Sequence, residues 1–460
     1  MTDLLLSGRR STRSDSGSMS LPRSRASATA FIGFALEVAF VIVGGGDLRL
    51  PKSVTLVVGG LLLLGAFLTF RQRSNARTSL MTLLILSIPL SYRTVTGSAY
   101  GESIASWFNL VLLLLAMVVM TGMLRMQFSR RQLPILGLAA WPIWLAPALM
   151  VSSSFADAAK QYVNIVGFAC IVLASLVGGW SQRGRDVLRR AFLASASATA
   201  LLLVIAWVLW QHVGIAVGRV LVLGGQRIAF SLYYPDPSFM SLYMASAAAL
   251  AAGDVRSRDG VVPRVILTAF LSCASIITSA RTGMVALVLA LFLTYAISRH
   301  TFTRPGRSLV NVLMVVLVAA AVWTAFSVVR PLDATEDSGR IAGYALAMSQ
   351  FASHPLLGIG LGVEEYRLVS GSTIPHNLLF QLLAQTGLYG TIGMLGSLLA
   401  VLLTLWRYDS RHALVLLTCL IGGLFIPDLL NSRFVPALLS LSAASLMDPV
   451  LPRAKVGWAR

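Results

Sequence analysis

The run Ala191–Trp210, AFLASASATALLLVIAWVLW, carries no charge over a length that suits a bilayer better than a globular core. A helix rises 1.5 Å per residue, so about 20 apolar residues cross a hydrocarbon layer of roughly 30 Å. The run belongs to one of fourteen such segments, near 28–46, 53–70, 78–92, 103–124, 133–151, 161–179, 190–210, 237–253, 263–279, 282–298, 308–329, 384–406, 412–427 and 433–447. Only 12% of residues are charged and 56% are hydrophobic, against about 25% charged in soluble domains. These features predict an all-α, polytopic membrane protein with 12–14 transmembrane helices. A β-barrel would show short segments of alternating polarity instead.

The formal net charge of +19 raises nucleic acid as a partner. In a membrane protein, basic residues gather on the cytoplasmic side, and that reading is preferred; no nucleic-acid partner is expected. With the N-terminus inside, most of the 37 basic residues fall in inside loops, which predicts cytoplasmic termini. Residues 1–27 are polar and Ser/Arg-rich, and predict a disordered cytoplasmic tail rather than a cleaved signal. Residues 448–460 form a second tail. Cys170, Cys273 and Cys419 lie in apolar runs without metal-ligand spacing.

The expected organisation is an N-terminal set of spans over 28–210, a central set over 211–329, a large outer loop over 330–383 and a C-terminal set over 384–447. Loops longer than about 12–15 residues usually carry function or fold locally. Ile341, Tyr344, Ala345, Met348 and Phe351 follow helical spacing. They predict an amphipathic helix over 339–353 on the outer membrane surface, stopped at His354–Pro355.

Basic residues on the outer side run against the charge trend. Arg281, in SARTG (Ser279–Gly283), falls between two spans with almost no loop. It either snorkels to headgroups or faces an anion in a cavity. Arg340 opens the predicted outer helix, where free N–H groups favour phosphate, with Ser338 as the expected N-cap. Arg227 lies near Phe230, Tyr233 and Tyr234, with Asp236 between two prolines. That stretch is either an aromatic belt with a helix-entry turn or a loop facing sugar and phosphate. His376, in PHNLLFQLLAQTGLYG (Pro375–Gly390), is either an interfacial cap or an acid/base group. Asn377 either caps the next helix or orients substrate. Glu37 faces a polar partner or a cavity within span one, and Asp333, Glu336, Asp337, Glu364 and Glu365 make the large loop acidic. No phosphate-binding glycine loop, dinucleotide fingerprint or metal-binding histidine pair occurs, so no cofactor and no metal are expected.

Five pieces occur in order: QRIAFSLYYPDPSF (Gln226–Phe239), SARTG, GRIAGYALAMSQF (Gly339–Phe351), HPLLGIGLG (His354–Gly362) and PHNLLFQLLAQTGLYG. Over 219–390 the chain resembles the bacterial O-antigen polymerase/ligase superfamily. It departs from it at YPDPS, where members often carry Asn-Pro-Asn. The resemblance implies a multi-span glycosyltransferase of the inner membrane, working at the periplasmic face on an undecaprenyl-diphosphate-linked glycan donor and a glycan acceptor. It implies a chain-length regulator and a flippase as partners besides the membrane lipids. Arg281 and Arg340 would then hold the donor diphosphate, Arg227 would assist, Tyr234, Asp236 and Asn377 would line the substrate site, and His376 would activate the acceptor hydroxyl. Polymerase is favoured over ligase. A lipid-linked oligosaccharide flippase is the rival of another class, although no repeat of the two halves is evident.

Overall fold

A computed structural model describes residues 35, 38–39, 51–71, 75–91, 105–122, 132–177, 180–223, 227–234, 236–253, 261–297, 316, 340–426 and 432–446. The described chain is mostly helical. In order come α1 (Lys52–Arg71), α2 (Ala76–Leu86), α3 (Trp107–Gly122), α4 (Leu133–Ala139), α5 (Trp141–Val151), α6 (Phe155–Leu176) and α7 (Gln182–Val213). A hairpin follows, β1 (Arg219–Leu223) and β2 (Arg227–Leu232). Then come α8 (Pro237–Gly253), α9 (Val261–Ile277), α10 (Arg281–Ile297), α11 (Arg340–Ser353), α12 (Val363–Ser370), α13 (Leu378–Tyr408), α14 (Ser410–Gly423) and α15 (Phe434–Ser445).

Among the described residues, four helical stretches are long and apolar enough to cross a membrane: Leu133–Val151, Phe155–Leu176, Gln182–Val213 and Leu378–Tyr408. Shorter apolar stretches of 10–17 residues lie in α1, α2, α3, α9, α10, α14 and α15. The expected spans over 28–46 and 308–329 lie outside the described residues apart from Ala35, Val38, Ala39 and Val316, which are helical. Glu37, Ser338, Asp333, Glu336 and Asp337 also lie outside them.

The span expected over 133–151 is two short helices meeting at Ala140. The one expected over 190–210 extends to 32 residues, from Ser181, whose hydroxyl accepts from the Gly184 N–H, to a left-handed Gly214. At 1.5 Å per residue that is about 48 Å, well beyond a hydrocarbon core of about 30 Å.

The helical architecture is consistent with the all-α expectation and carries one small addition. Segment 211–236, expected as an outer loop, folds in part as an antiparallel hairpin, with Val220 opposite Phe230 and Val222 opposite Ile228. The alternating RVLVL and RIAFSL runs around Gly224-Gly225-Gln226 carry the hairpin signal.

The centre of the bundle is α8. From Phe239 to Ala251 every one of its residues is buried, against α7, α9, α10 and α14. Its sequence explains this. Ala and Ser line all sides, so neighbouring backbones approach closely, which is how helices associate where lipid removes the hydrophobic drive between them. The closest approach is at Gly283 of α10, where a Cβ would lie 2.2 Å from the Ser241 carbonyl oxygen. A second layer sets α13 against α4, α5, α11 and α14, and α6 against α3, α5, α12 and α15.

Helix α11 spans Arg340–Ser353 and stops before Pro355, as the sequence predicts. Its packed face differs from the predicted stripe. Ala347 is buried, Arg340, Tyr344 and Phe351 are half-buried, while Ile341 and Met348 are exposed. Ala347 and Tyr344 sit against α13, and two of the large apolar residues point outward.

Candidate functional site

One end of the bundle gathers the start of α8, the α9–α10 turn, the hairpin, the start of α13 and the end of α14. Side-chain hydrogen bonds join the first three of these pieces to one another and the last two to each other. Ser279 adopts a left-handed backbone (φ 57°), and its hydroxyl donates to the Ile228 carbonyl at 2.8 Å. Ser241 donates to the Ala280 carbonyl at 3.1 Å and accepts from the Gly283 N–H at 3.2 Å. The turn is as short as the sequence predicts: Thr278, Ser279 and Ala280 separate the two helices. Arg281 is the first residue of α10 and is half-buried. Arg227 opens β2, one residue before the carbonyl that Ser279 holds. Along the backbone, Arg227 precedes and Arg281 follows the two residues joined by this one hydrogen bond.

Asp236 starts α8. Its Oδ1 accepts from the Ser238 N–H at 2.6 Å, with Pro237 as the first helical residue, where a missing N–H costs nothing. Tyr234, two residues earlier, is fully buried in an aromatic cluster, its ring 6.0 Å from Tyr243 and 6.5 Å from Phe434.

Asn377 acts as a cap. Its Oδ1 accepts from the Leu379 and Phe380 N–H groups at 2.9 and 3.3 Å, and its Nδ2 donates to the Leu424 carbonyl at 3.0 Å. Both halves of the amide are thus used to fix the start of α13 against the end of α14. The residue before it, His376, is half-buried, and its Nδ1 is buried without a hydrogen-bond partner among the described residues.

Burial lowers the His376 pKa below the ordinary imidazole value. The positive charge of Arg340 lowers it further, and the negative charge of Asp236 opposes both. His376, Arg340 and Asp236 thus stand within electrostatic reach of one another, although they come from three elements far apart in sequence. Arg281 joins the same end through Ser241, which lies about one and a half helical turns below Asp236.

Helix α13 is interrupted. Gly387 has φ 59° and ψ −162°, a region that only glycine enters readily. Leu378–Thr386 therefore forms a separate stub above the rest. The break would strand carbonyls on the stub and N–H groups on the lower part. The segment after α11 satisfies both sets. Ile359 and Gly360 donate to the Ala384 and Gln385 carbonyls at 2.9 and 3.1 Å. Leu388 and Tyr389 donate to the Pro355 and Leu356 carbonyls at 2.9 and 3.1 Å. Irregular backbone survives at membrane depth only where protein satisfies it. HPLLGIGLG and QTGLYG are thus two halves of one structural unit, which their separate reading did not reveal.

The same segment is tied to α6. Gly362 donates to Gln161 Oε1 at 2.6 Å, and its carbonyl accepts from Gln385 Nε2 at 2.8 Å. Glu365 is buried, accepting from the Ser153 hydroxyl and from the Ser154 N–H at 2.6 Å. Asp157 returns the favour to the Glu364 N–H at 2.8 Å. Helices α6 and α12 thus cap each other, and the acidity of Glu365 is spent on structure. A cavity of about 550 Å³ beside this junction is lined by Ser153, Pro355–Ile359 and Glu365 among others, and contains none of the expected site residues. Among the described residues, no group of three or more His, Cys, Asp or Glu is placed to hold a metal ion.

Residues 266–395 match the O-antigen ligase family, Wzy_C. That stretch includes Arg281, Arg340, His376, Asn377 and Gly387, and it stops short of Arg227, Tyr234 and Asp236. It covers under a third of the chain. It supports the O-antigen polymerase/ligase superfamily, and with it glycosyltransferase-like polymerase or ligase activity on O-antigen-type glycans in a multi-pass bacterial membrane protein. No curated protein matches the chain.

Proposed function

We propose that this protein polymerises undecaprenyl-diphosphate-linked repeat units of an exopolysaccharide, capsule or O-antigen at the periplasmic face of the inner membrane. The chain would cross the membrane fourteen times with both termini cytoplasmic, in the division into spans and outer loop that the sequence predicts. A chain-length regulator and a flippase are its proposed partners. The observation that carries the reading is a half-buried imidazole, its Nδ1 without a hydrogen-bond partner among the described residues, beside Arg340 and Asp236 and within the segment that matches the family.

A neutral imidazole is the form that accepts a proton. In the proposed step, His376 takes the acceptor hydroxyl proton as that oxygen attacks the anomeric carbon of the donor. The bond from that carbon to the diphosphate breaks, and its electron pair leaves with the lipid diphosphate. Arg281 and Arg340 stabilise that charge, with Arg227 assisting, and no metal is needed for this. Attack opposite the leaving group inverts the anomeric centre. Tyr234, Asp236 and Asn377 shape the site: the first as its apolar wall, the second as counter-charge to the imidazolium, the third by fixing the His376 backbone. The ligase reading has its own support in the description of the matching family, and differs only in the acceptor, lipid A core or another terminal group.

The purified full-length protein in lipid should convert a lipid-linked repeat into longer chains. Arg281→Ala should lower the rate by about 10²–10³-fold, the usual effect of removing one stabilising donor. Retained activity in that variant removes Arg281 from the site. In a deletion strain, single lipid-linked repeats should accumulate. Full-length lipid-linked chains would mean ligase, and a block at the cytoplasmic face would mean flippase.

Asp236→Asn gives an independent check. Asparagine keeps an acceptor for the Ser238 N–H, so α8 should start normally. The carboxylate raises the His376 pKa, so its loss should lower that pKa and move the acid limb of the rate profile to lower pH. The maximal rate should fall about two- to fivefold, the range of one partly solvated charge pair. An acid limb that stays in place or moves up would separate Asp236 from the base.

A further inference from the structure

Arg340 opens α11 and His376 lies just before the cap of α13, and their spacing must be fixed by something. Arg340 is the first residue of α11, and Tyr344 lies one turn later on the same face. The Tyr344 hydroxyl donates to the His376 carbonyl at 3.3 Å. Its ring stacks on Phe380, with centroids 4.8 Å apart and planes at 19°. Phe380 lies in the first turn of α13, where Asn377 already holds its N–H. Ala347 anchors the middle of α11 in a small cluster with Ile359, Tyr366, Ile374 and Ala384. Tyr344 is thus a contact between that anchor and the guanidinium, and it reaches the backbone of the histidine itself.

We propose that Tyr344 is a positioning residue, which sets the distance between Arg340 and His376 by pinning the start of α11 to the His376 backbone. The proposal rests on the reading of His376 as the base. Its physical basis is the steep cost of misplacement: a shift of about 1 Å can lower a rate about 10²-fold. Two charged groups from other elements bear on the ring. Arg340 on α11 lowers its pKa, and Asp236 at the start of α8 raises it. A retreat of α11 would remove the first influence, admit water and leave the second. The first two changes raise the pKa, and the influence of Asp236 then stands unopposed.

The test uses full-length protein in lipid nanodiscs, with the His376 imidazole titrated by NMR and assigned by its absence in His376→Ala. Tyr344→Phe keeps the stack and loses the hydrogen bond. Tyr344→Leu loses both. The expected result is an upward shift of the titration, larger for Leu than for Phe, with kcat lowered by about 10²-fold for Leu. Arg340→Gln should also move the titration up, and Tyr344→Leu added to it should move it less than Tyr344→Leu alone, because coupled residues are non-additive. A titration unmoved by both Tyr344 variants, or shifts that add fully with Arg340→Gln, overturns the proposal. If Tyr344→Leu does not fold, Tyr344→Phe decides alone by the presence or absence of its shift. Activity retained in His376→Ala would instead overturn the reading of the base, which the NMR titration does not depend on.

Discussion

His376→Ala is expected to lower glycan transfer by about 10²–10⁴-fold, the contribution of a positioned general base, while the protein stays folded. The fold survives because the backbone around His376 is held by its neighbours. Asn377 caps α13 and binds the Leu424 carbonyl. The His376 carbonyl, which accepts from Tyr344, is present in alanine as well. The imidazole Nδ1 makes no hydrogen bond among the described residues, so its loss leaves none of the described donors or acceptors stranded. The substitution should therefore carry little structural cost, which lets activity and stability be read separately. In the wild type, activity should fall as pH drops through a His376 pKa below the ordinary value of about 6.5, because the protonated ring cannot accept a proton. The measurement is turnover of a lipid-linked repeat against pH, beside a melting curve in detergent. Transfer within tenfold of wild type would take His376 out of the reaction.

Gly387→Ala should prevent normal folding. A Cβ at this position would lie 2.4 Å from the Leu356 carbonyl carbon and oxygen. The backbone conformation alone costs another residue about 1–3 kcal/mol. Relief of the clash requires segment 355–360 to withdraw, and the four backbone hydrogen bonds across the break would go with it. In a membrane each stranded group costs several kcal/mol. The expected readout is loss of the monodisperse species on size exclusion, or a melting temperature well below wild type. Gly396→Ala is the control, since a Cβ there meets nothing within 4 Å. Equal stability of the two variants would show that the break tolerates rearrangement.

The helices of the central bundle were readable because local chemistry marks their ends. Asp236–Pro237 starts α8, the SARTG turn closes α9 and opens α10, and His354–Pro355 stops α11. The packed face of α11 was not readable. Hydropathy identifies side chains that leave water, and in a membrane protein they can leave it for lipid as well as for protein. Ile341 and Met348 are exposed while Ala347 is buried. The interruption at Gly387 was hidden for a different reason. Glycine is common in membrane helices, and what breaks this one is a partner segment some thirty residues upstream. The ordered motifs pointed to Arg281, Arg340 and His376. The link between Arg340 and His376 through Tyr344 depends on a hydrogen bond to a backbone carbonyl, which no residue pattern encodes.

The interrupted helix also makes a prediction about chain length. His376 stands just before a stub whose far end is clasped by residues 355–360, and both ends of the clasp are backbone to backbone. Between His376 and Gly387 the chain is a ruler: one residue added there would rotate the stub by about 100° and turn the imidazole away from Arg340. Between Ser370 and Thr373 the chain rounds a turn with a left-handed Gly371 and open space beside it. A tag or an extra residue should therefore be tolerated in that turn and nowhere in the interval that follows.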